Sequence, residues 1–191
     1  MPTGRDLTCQ SCSRRVFMRA AATAVMTVGS LSLGSEVQAQ TSKVSIGDLL
    51  VRNRDAANTP LEPEDVVAGL PLSGWAFDPS SRTLRGGLNN RLVLVRLDVE
   101  QVSPATRGQV AAGVMAYSAI CTHSGCTVSD WDAGQHALVC PCHESAFDPY
   151  NGGAVIGGPA PRALPWLGLG VNDGLLVVTA VFSSAPGSEP A

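Results

Sequence analysis

Lysine is almost missing from this chain: among 191 residues Lys43 is the only one, and the other basic side chains are arginines. A phosphate-binding groove needs clustered Lys and Arg, so nucleic acid is not an expected partner. Histidine is scarce, with His123, His136 and His143 alone, and no internal repeat is visible. The apolar run from Ala20 to Leu33 spans about 14 residues, short of the roughly 20 that a membrane-crossing helix needs. What is abundant is equally informative. An apolar content of 45% with 15% charged residues suits one packed domain and excludes a disordered tail protein. The 20 glycines and 13 prolines imply many turns, which favours short strands over long helices.

Charge is uneven. Residues 1–39 carry four Arg against Asp6 and Glu36, whereas residues 40–191 carry nine basic and fourteen acidic side chains, so the folded part is acidic. Ser13 to Arg19, reading SRRVFMR, resembles a twin-arginine export signal, and Val37-Gln38-Ala39 fits a small-x-small cleavage site. Residues 1–39 are therefore expected to be a signal segment, either cleaved or kept as a membrane anchor. That route carries proteins already folded, commonly with a cofactor inserted, and implies a periplasmic location. Cys9 and Cys12 form a CxxC ahead of the arginines, where a leader role or chance is expected.

The remainder reads as one domain over 40–183, with a flexible tail at 184–191. Lys43 to Val51 is expected to hold a first strand broken at Gly47. The stretch from Arg52 to Asn90, rich in turn residues, is read as loops and short strands wrapped on the core, with a docking surface for a partner as one use. Leu92 to Leu97 suits a strand buried on both faces. Ser103-Pro104 starts a short helix reaching about Ala112, and Val114 to Ile120 is a strand that leads to Cys121. Hairpins are expected around Asp132-Ala133-Gly134 and Asn172-Asp173-Gly174.

Four of the six cysteines and all three histidines fall between Cys121 and Ser145. Two short loops each present a Cys and a His, as CTHSGC and CPCHES, and the predicted hairpin folds them side by side. Cys121, His123, Cys140 and His143 are candidate metal ligands suited to iron or zinc. Cys126 and Cys142 remain, one in each loop, and are natural disulfide partners in an exported protein.

These two loops, with the later Gly158-Pro159-Ala160-Pro161 turn, resemble the Rieske iron–sulfur proteins, over roughly Val114 to Phe182. The resemblance implies a [2Fe–2S] cluster whose first iron is bound by Cys121 and Cys140 and whose second is bound by His123 and His143. It implies the Cys126–Cys142 disulfide of the cytochrome bc-type branch, a Ser145 hydroxyl bonded to a cluster sulfur, and shielding by Gly158, Pro159, Ala160 and Pro161. The implied fold is all-β: a Rieske-type antiparallel β sandwich with one short helix and a small cluster-binding subdomain at about 114–162. Phe147 stands where many bc-type members place a tyrosine that bonds a cysteine ligand, so a lower potential is expected within the broad range of roughly −150 to +300 mV.

Ala116 to Ile120 and Phe147-Asp148-Pro149 look like the small subunit of arsenite oxidase, while the Gly-Pro-Ala-Pro turn is similar to that of quinol:cytochrome c reductases. The implied function is one-electron transfer as a subunit of an exported respiratory oxidoreductase of either kind, with a redox protein or larger catalytic subunit as partner and quinol as a candidate donor. A free-standing periplasmic electron carrier is the alternative. A structural zinc site would use the same Cys₂His₂ set but would leave Cys126, Cys142 and the leader unexplained. A Rieske oxygenase would need a further two-His iron site, and only His136 is left over, so the chain has no catalytic site of its own apparent. His136 is read as an ordinary hairpin residue. Trp75, Trp131 and Trp166 are read as packing groups.

Overall fold

The computed structural model describes residues 43–188. The expected signal segment at 1–39 and residues 189–191 of the expected tail lie outside the described residues. The chain forms β1 (Leu49–Arg52), β2 (Leu72–Asp78), β3 (Thr83–Leu84), β4 (Leu92–Arg96), a short helix α1 (Pro104–Arg107) and β5 (Val114–Ser118). It continues with β6 (Asp130–Asp132), β7 (Ala137–Cys140), β8 (Ser145–Asp148), β9 (Ala154–Gly157), β10 (Trp166–Asn172) and β11 (Leu175–Ala180). All strand pairings in the two sheets are antiparallel.

The larger sheet runs β1-β11-β10-β5-β4-β2-β3 and closes on itself, because β1 also pairs with β2 from Leu49↔Phe77 to Arg52↔Gly74. The all-β expectation holds, and closure gives the layers a barrel-like form. The smaller sheet, β6-β7-β8-β9, carries the second Cys/His loop between β7 and β8. No helix among the described residues is long and apolar enough to cross a membrane.

Alternation along β4 and β5 divides the core. Leu92, Leu94, Val114 and Ala116 point into the barrel cluster with Leu50, Leu167 and Leu176. Val93, Val95, Met115 and Tyr117 point the other way, into a second cluster with Cys121, Leu138, Cys140, Phe147 and Leu164. Strands buried on both faces need no polar alternation, which is why Leu92 to Leu97 reads as an unbroken apolar run. The same strands thus line the barrel interior and support the smaller sheet.

Two expectations need correcting. The stretch from Arg52 to Asn90 is more than wrapping, since β2 is a seven-residue strand that closes the barrel. Gly74 hides it in the sequence: a Cβ there would lie 2.8 Å from the Val51 carbonyl, so close strand approach requires a residue of poor strand propensity. The loop before it is fastened by Arg96, whose guanidinium donates to the carbonyls of Val66 and Pro63. The short helix stops at Arg107 rather than Ala112, with Gly108 at its end and a left-handed Ala112-Gly113 turn leading into β5. Both expected hairpins form, with Asp132 accepting from the backbone N–H groups of Gly134 and Gln135 in the first.

Leu94 is completely buried and Leu88 is 59% exposed. Leu94→Ala should lower unfolding free energy by about 2–5 kcal/mol, and Leu88→Ala by no more than about 0.5 kcal/mol, as read by urea denaturation.

Candidate metal centre

β5 is buried along its whole length and delivers the chain into the first loop. There the N–H of Cys121 donates to the Cys126 carbonyl and that of Gly125 to the Cys121 carbonyl, closing a compact turn. The second loop is closed in the same manner, with the Glu144 N–H donating to the Cys140 carbonyl while Cys140 and Ser145 pair across β7 and β8. Glu144 adopts a left-handed φ of 56° to make this turn. The two loops are joined by a disulfide between Cys126 and Cys142, whose Cα atoms are 6.5 Å apart. Closing a loop of this size contributes about 3 kcal/mol in a chain-entropy estimate.

Cys121 and Cys140 are free thiols and both are buried. His123 and His143 face each other edge to face with ring centroids 4.7 Å apart, His123 half-buried and His143 exposed. Nδ1 of His123 is turned away from solvent without a hydrogen-bond partner, and so is Oγ of Ser145. Burial pushes the Cys140 thiol up from its ordinary value, and the neighbouring Cys121 adds to this, against the pull of N–H groups from Cys142 and His143. A buried thiol of this kind becomes a thiolate when a cation compensates its charge.

The sulfurs of Cys126, Cys140 and Cys142 also lie within 4.8 Å of one another. This is not a three-thiolate site, because two of the three sulfurs are spent in the disulfide. The proximity shows instead that the disulfide lies against Cys140. Phe147 is completely buried in the cluster that contains Cys121 and Cys140. His136 stands edgewise to Trp131 and Tyr150, with ring centroids 6.4 and 6.5 Å away. Trp131 and Trp166 pack against the second core cluster.

The Gly158 to Pro161 turn reaches the second loop. A Cβ on Gly158 would lie 2.5 Å from Ser145 Cα and 2.7 Å from the Glu144 carbonyl, and φ is +76°, so glycine is required twice over. Ala160 is buried while Gly158, Pro159 and Pro161 are exposed. Tyr117, Thr122 and Arg162 have structural links to the loops and carry no individual role in the sequence reading. Tyr117, whose phenol burial pushes up, donates its hydroxyl to the Pro149 carbonyl beyond β8 at 2.7 Å. Thr122, between two candidate ligands, donates to the Arg162 carbonyl at 2.8 Å. Only the placement of Thr122 inside CTHSGC and of Arg162 just after the Pro-rich turn could have drawn notice.

A closed antiparallel barrel carries a small sheet, and the two disulfide-linked loops present a buried thiol pair and a facing imidazole pair, a donor set suited to iron or zinc. The profile of the Rieske [2Fe-2S] domain matches residues 74–168. The chain is 37% identical over 137 residues to the cytochrome bc1 complex Rieske iron-sulfur subunit of Streptomyces lividans, covering 68% of this chain and 77% of that one. It belongs to the Rieske [2Fe–2S] family, and its cofactor is the Rieske [2Fe–2S] cluster. A putative respiratory nitrate reductase Rieske subunit of Haloferax mediterranei is 45% identical over 97 residues, 50% of this chain but only 43% of that protein. Among solved structures, the plasma membrane Rieske protein PetC3 of Synechocystis is 28% identical with a TM-score of 0.41, covering 62% of this chain and 95% of that chain.

Gly158→Ala should destabilise the protein by at least about 1–3 kcal/mol through backbone strain alone, read by thermal or urea unfolding. Gly86→Ala is the matching control, since a Cβ there meets nothing within 4 Å.

Proposed function

We propose that this protein is the electron-transferring Rieske subunit of an exported respiratory oxidoreductase, of the quinol:cytochrome c reductase type. One observation carries the reading: two free buried cysteines and two facing histidines stand beside a Cys126–Cys142 bond. The chain fits the cofactor. Cys121 and Cys140 would hold one iron and His123 and His143 the other, and the unpartnered His123 Nδ1 and Ser145 Oγ are atoms that a bound inorganic group completes. When bound, the cluster supplies one-electron redox chemistry.

The residues around it set how that chemistry is used. The buried thiols and Phe147 keep water from the sulfur side, while exposed His143 brings the opposite side to the surface, where a partner can approach. Ser145 would donate its hydroxyl to a cluster sulfur. Gly158 lets the Pro-rich turn lie directly on the Glu144-Ser145 backbone and cover that loop. Export by the twin-arginine route at Ser13 to Arg19 places the module in the periplasm or on the periplasmic face of the inner membrane. Quinol is the electron donor in this reading, which the Gly158-Pro159-Ala160-Pro161 turn, similar to that of quinol:cytochrome c reductases, supports. The 45% identity to the nitrate reductase Rieske subunit favours a second reading, in which the same module serves a different catalytic subunit.

Metal analysis of the purified full chain should find about two irons per chain and a rhombic EPR signal on reduction; one zinc and no iron would overturn the assignment. Cys121→Ala and His143→Ala should each abolish the signal. Co-purification with haem-bearing subunits supports the reductase reading, and a lone monomer overturns it in favour of a free carrier.

Phe147→Tyr should raise the reduction potential, because a hydroxyl donated to a cysteine ligand stabilises the more negative reduced state. Protein-film voltammetry reads the shift, and an unchanged or lower potential contradicts it.

A further inference from the structure

We propose that residues 183–187 are a latch on the first ligand loop, with Arg162 as the positioning residue that connects them. Arg162 is held at both ends. Its carbonyl accepts the Thr122 hydroxyl at 2.8 Å, and Thr122, completely buried, is the single residue between Cys121 and His123. Its guanidinium donates to Ser184 Oγ at 3.2 Å, to the Ala185 carbonyl at 2.7 Å and to the Gly187 carbonyl at 2.6 Å.

The segment is itself anchored. The Ser183 N–H donates to the Trp166 carbonyl and its hydroxyl accepts from the Trp166 N–H, which fixes the latch to the start of β10. At its other end Gly187 is buried, and a Cβ there would lie 3.5 Å from Ile120 Cγ2 and 3.8 Å from Asn89 Oδ1. Ile120 immediately precedes Cys121. The latch therefore bears on the first loop twice, by packing on Ile120 and by hydrogen bonding through Arg162 to Thr122. The second loop is secured by other means: the β7–β8 pairing, Gly158, and the disulfide.

A charged guanidinium bonded to two carbonyls and a hydroxyl is a strong clasp, and its loss should change local opening far more than global unfolding. The assignment rests on the cluster reading for its functional meaning, but the clasp can be read without it. Amide hydrogen exchange of the full chain, followed by mass spectrometry with reduction at quench, reports on the Cys121 and Gly125 amides of the first loop and the Glu144 amide of the second. Arg162→Gln should speed exchange in residues 121–126 by about tenfold or more and leave 140–145 within about twofold. Thr122→Val should produce the same selective change, and the double variant should add little to either, since both break one connection. Arg162→Lys, which keeps the charge but not the fork, should fall between.

In the iron-loaded protein the same variants should lose visible absorption faster in the presence of a chelator, in the same order. First-loop exchange within about twofold of wild type in both single variants, or equal acceleration of the two loops, overturns the latch. Absence of iron from the wild-type protein would sink the cluster reading while leaving the exchange result standing.

Discussion

Two loops on either side of one hairpin have to face each other for their side chains to meet, and the Cys126–Cys142 bond, across a sequence separation of 16, is the covalent constraint that holds them so. Each loop is stiffened first by its own backbone hydrogen bonds, from Cys121 and Gly125 in one and Glu144 in the other. The disulfide then fixes one rigid turn against another. Separately stiff turns joined at one point leave few arrangements for the side chains they carry, so the Cys121 and Cys140 thiols and the His123 and His143 rings have little conformational freedom left to lose.

The rest of the fold supplies a base for that arrangement. β4 and β5 turn one set of side chains into the barrel and the other toward the smaller sheet, so the two hydrophobic clusters share these strands. Packing of Met115 and Tyr117 against Phe147 and Leu164 sets the small sheet on the barrel, and the Tyr117 hydroxyl on the Pro149 carbonyl fixes the end of β8. Barrel closure by β2 leaves no free edge between β1 and β4. The opposite chemical needs of the two sides of the centre follow: thiols buried in an apolar cluster, imidazoles toward the surface.

Much of the site was legible because its chemistry is local. CTHSGC and CPCHES bring donors together within six residues each, and the Asp132 turn between them announces the hairpin that pairs them. The β4 run and the closing β10–β11 hairpin around Asp173-Gly174 were also readable, since apolar continuity and turn residues are short-range signals. β2 was obscured because its neighbours demand a glycine at position 74, which lowers the strand signal where the structure most needs close approach. The helix was overextended because Ser103-Pro104 marks a start, while its end depends on the Ala112-Gly113 turn that aligns β5.

By itself the sequence determined the donor inventory, the spacing of the two loops, the spare cysteine pair and the all-β character, because each depends on residue type and short separation. Only the tertiary structure decided that the sheet closes through β1 and β2, that Gly158 lies on the Ser145 backbone, and that Arg162 ties Thr122 to Gly187. Those contacts join residues from 13 positions apart, for Gly158 and Ser145, to 40, for Thr122 and Arg162, and a backbone carbonyl is the same acceptor whatever side chain it carries. No residue pattern marks which carbonyl an arginine will reach; that is settled when the barrel brings the segments together.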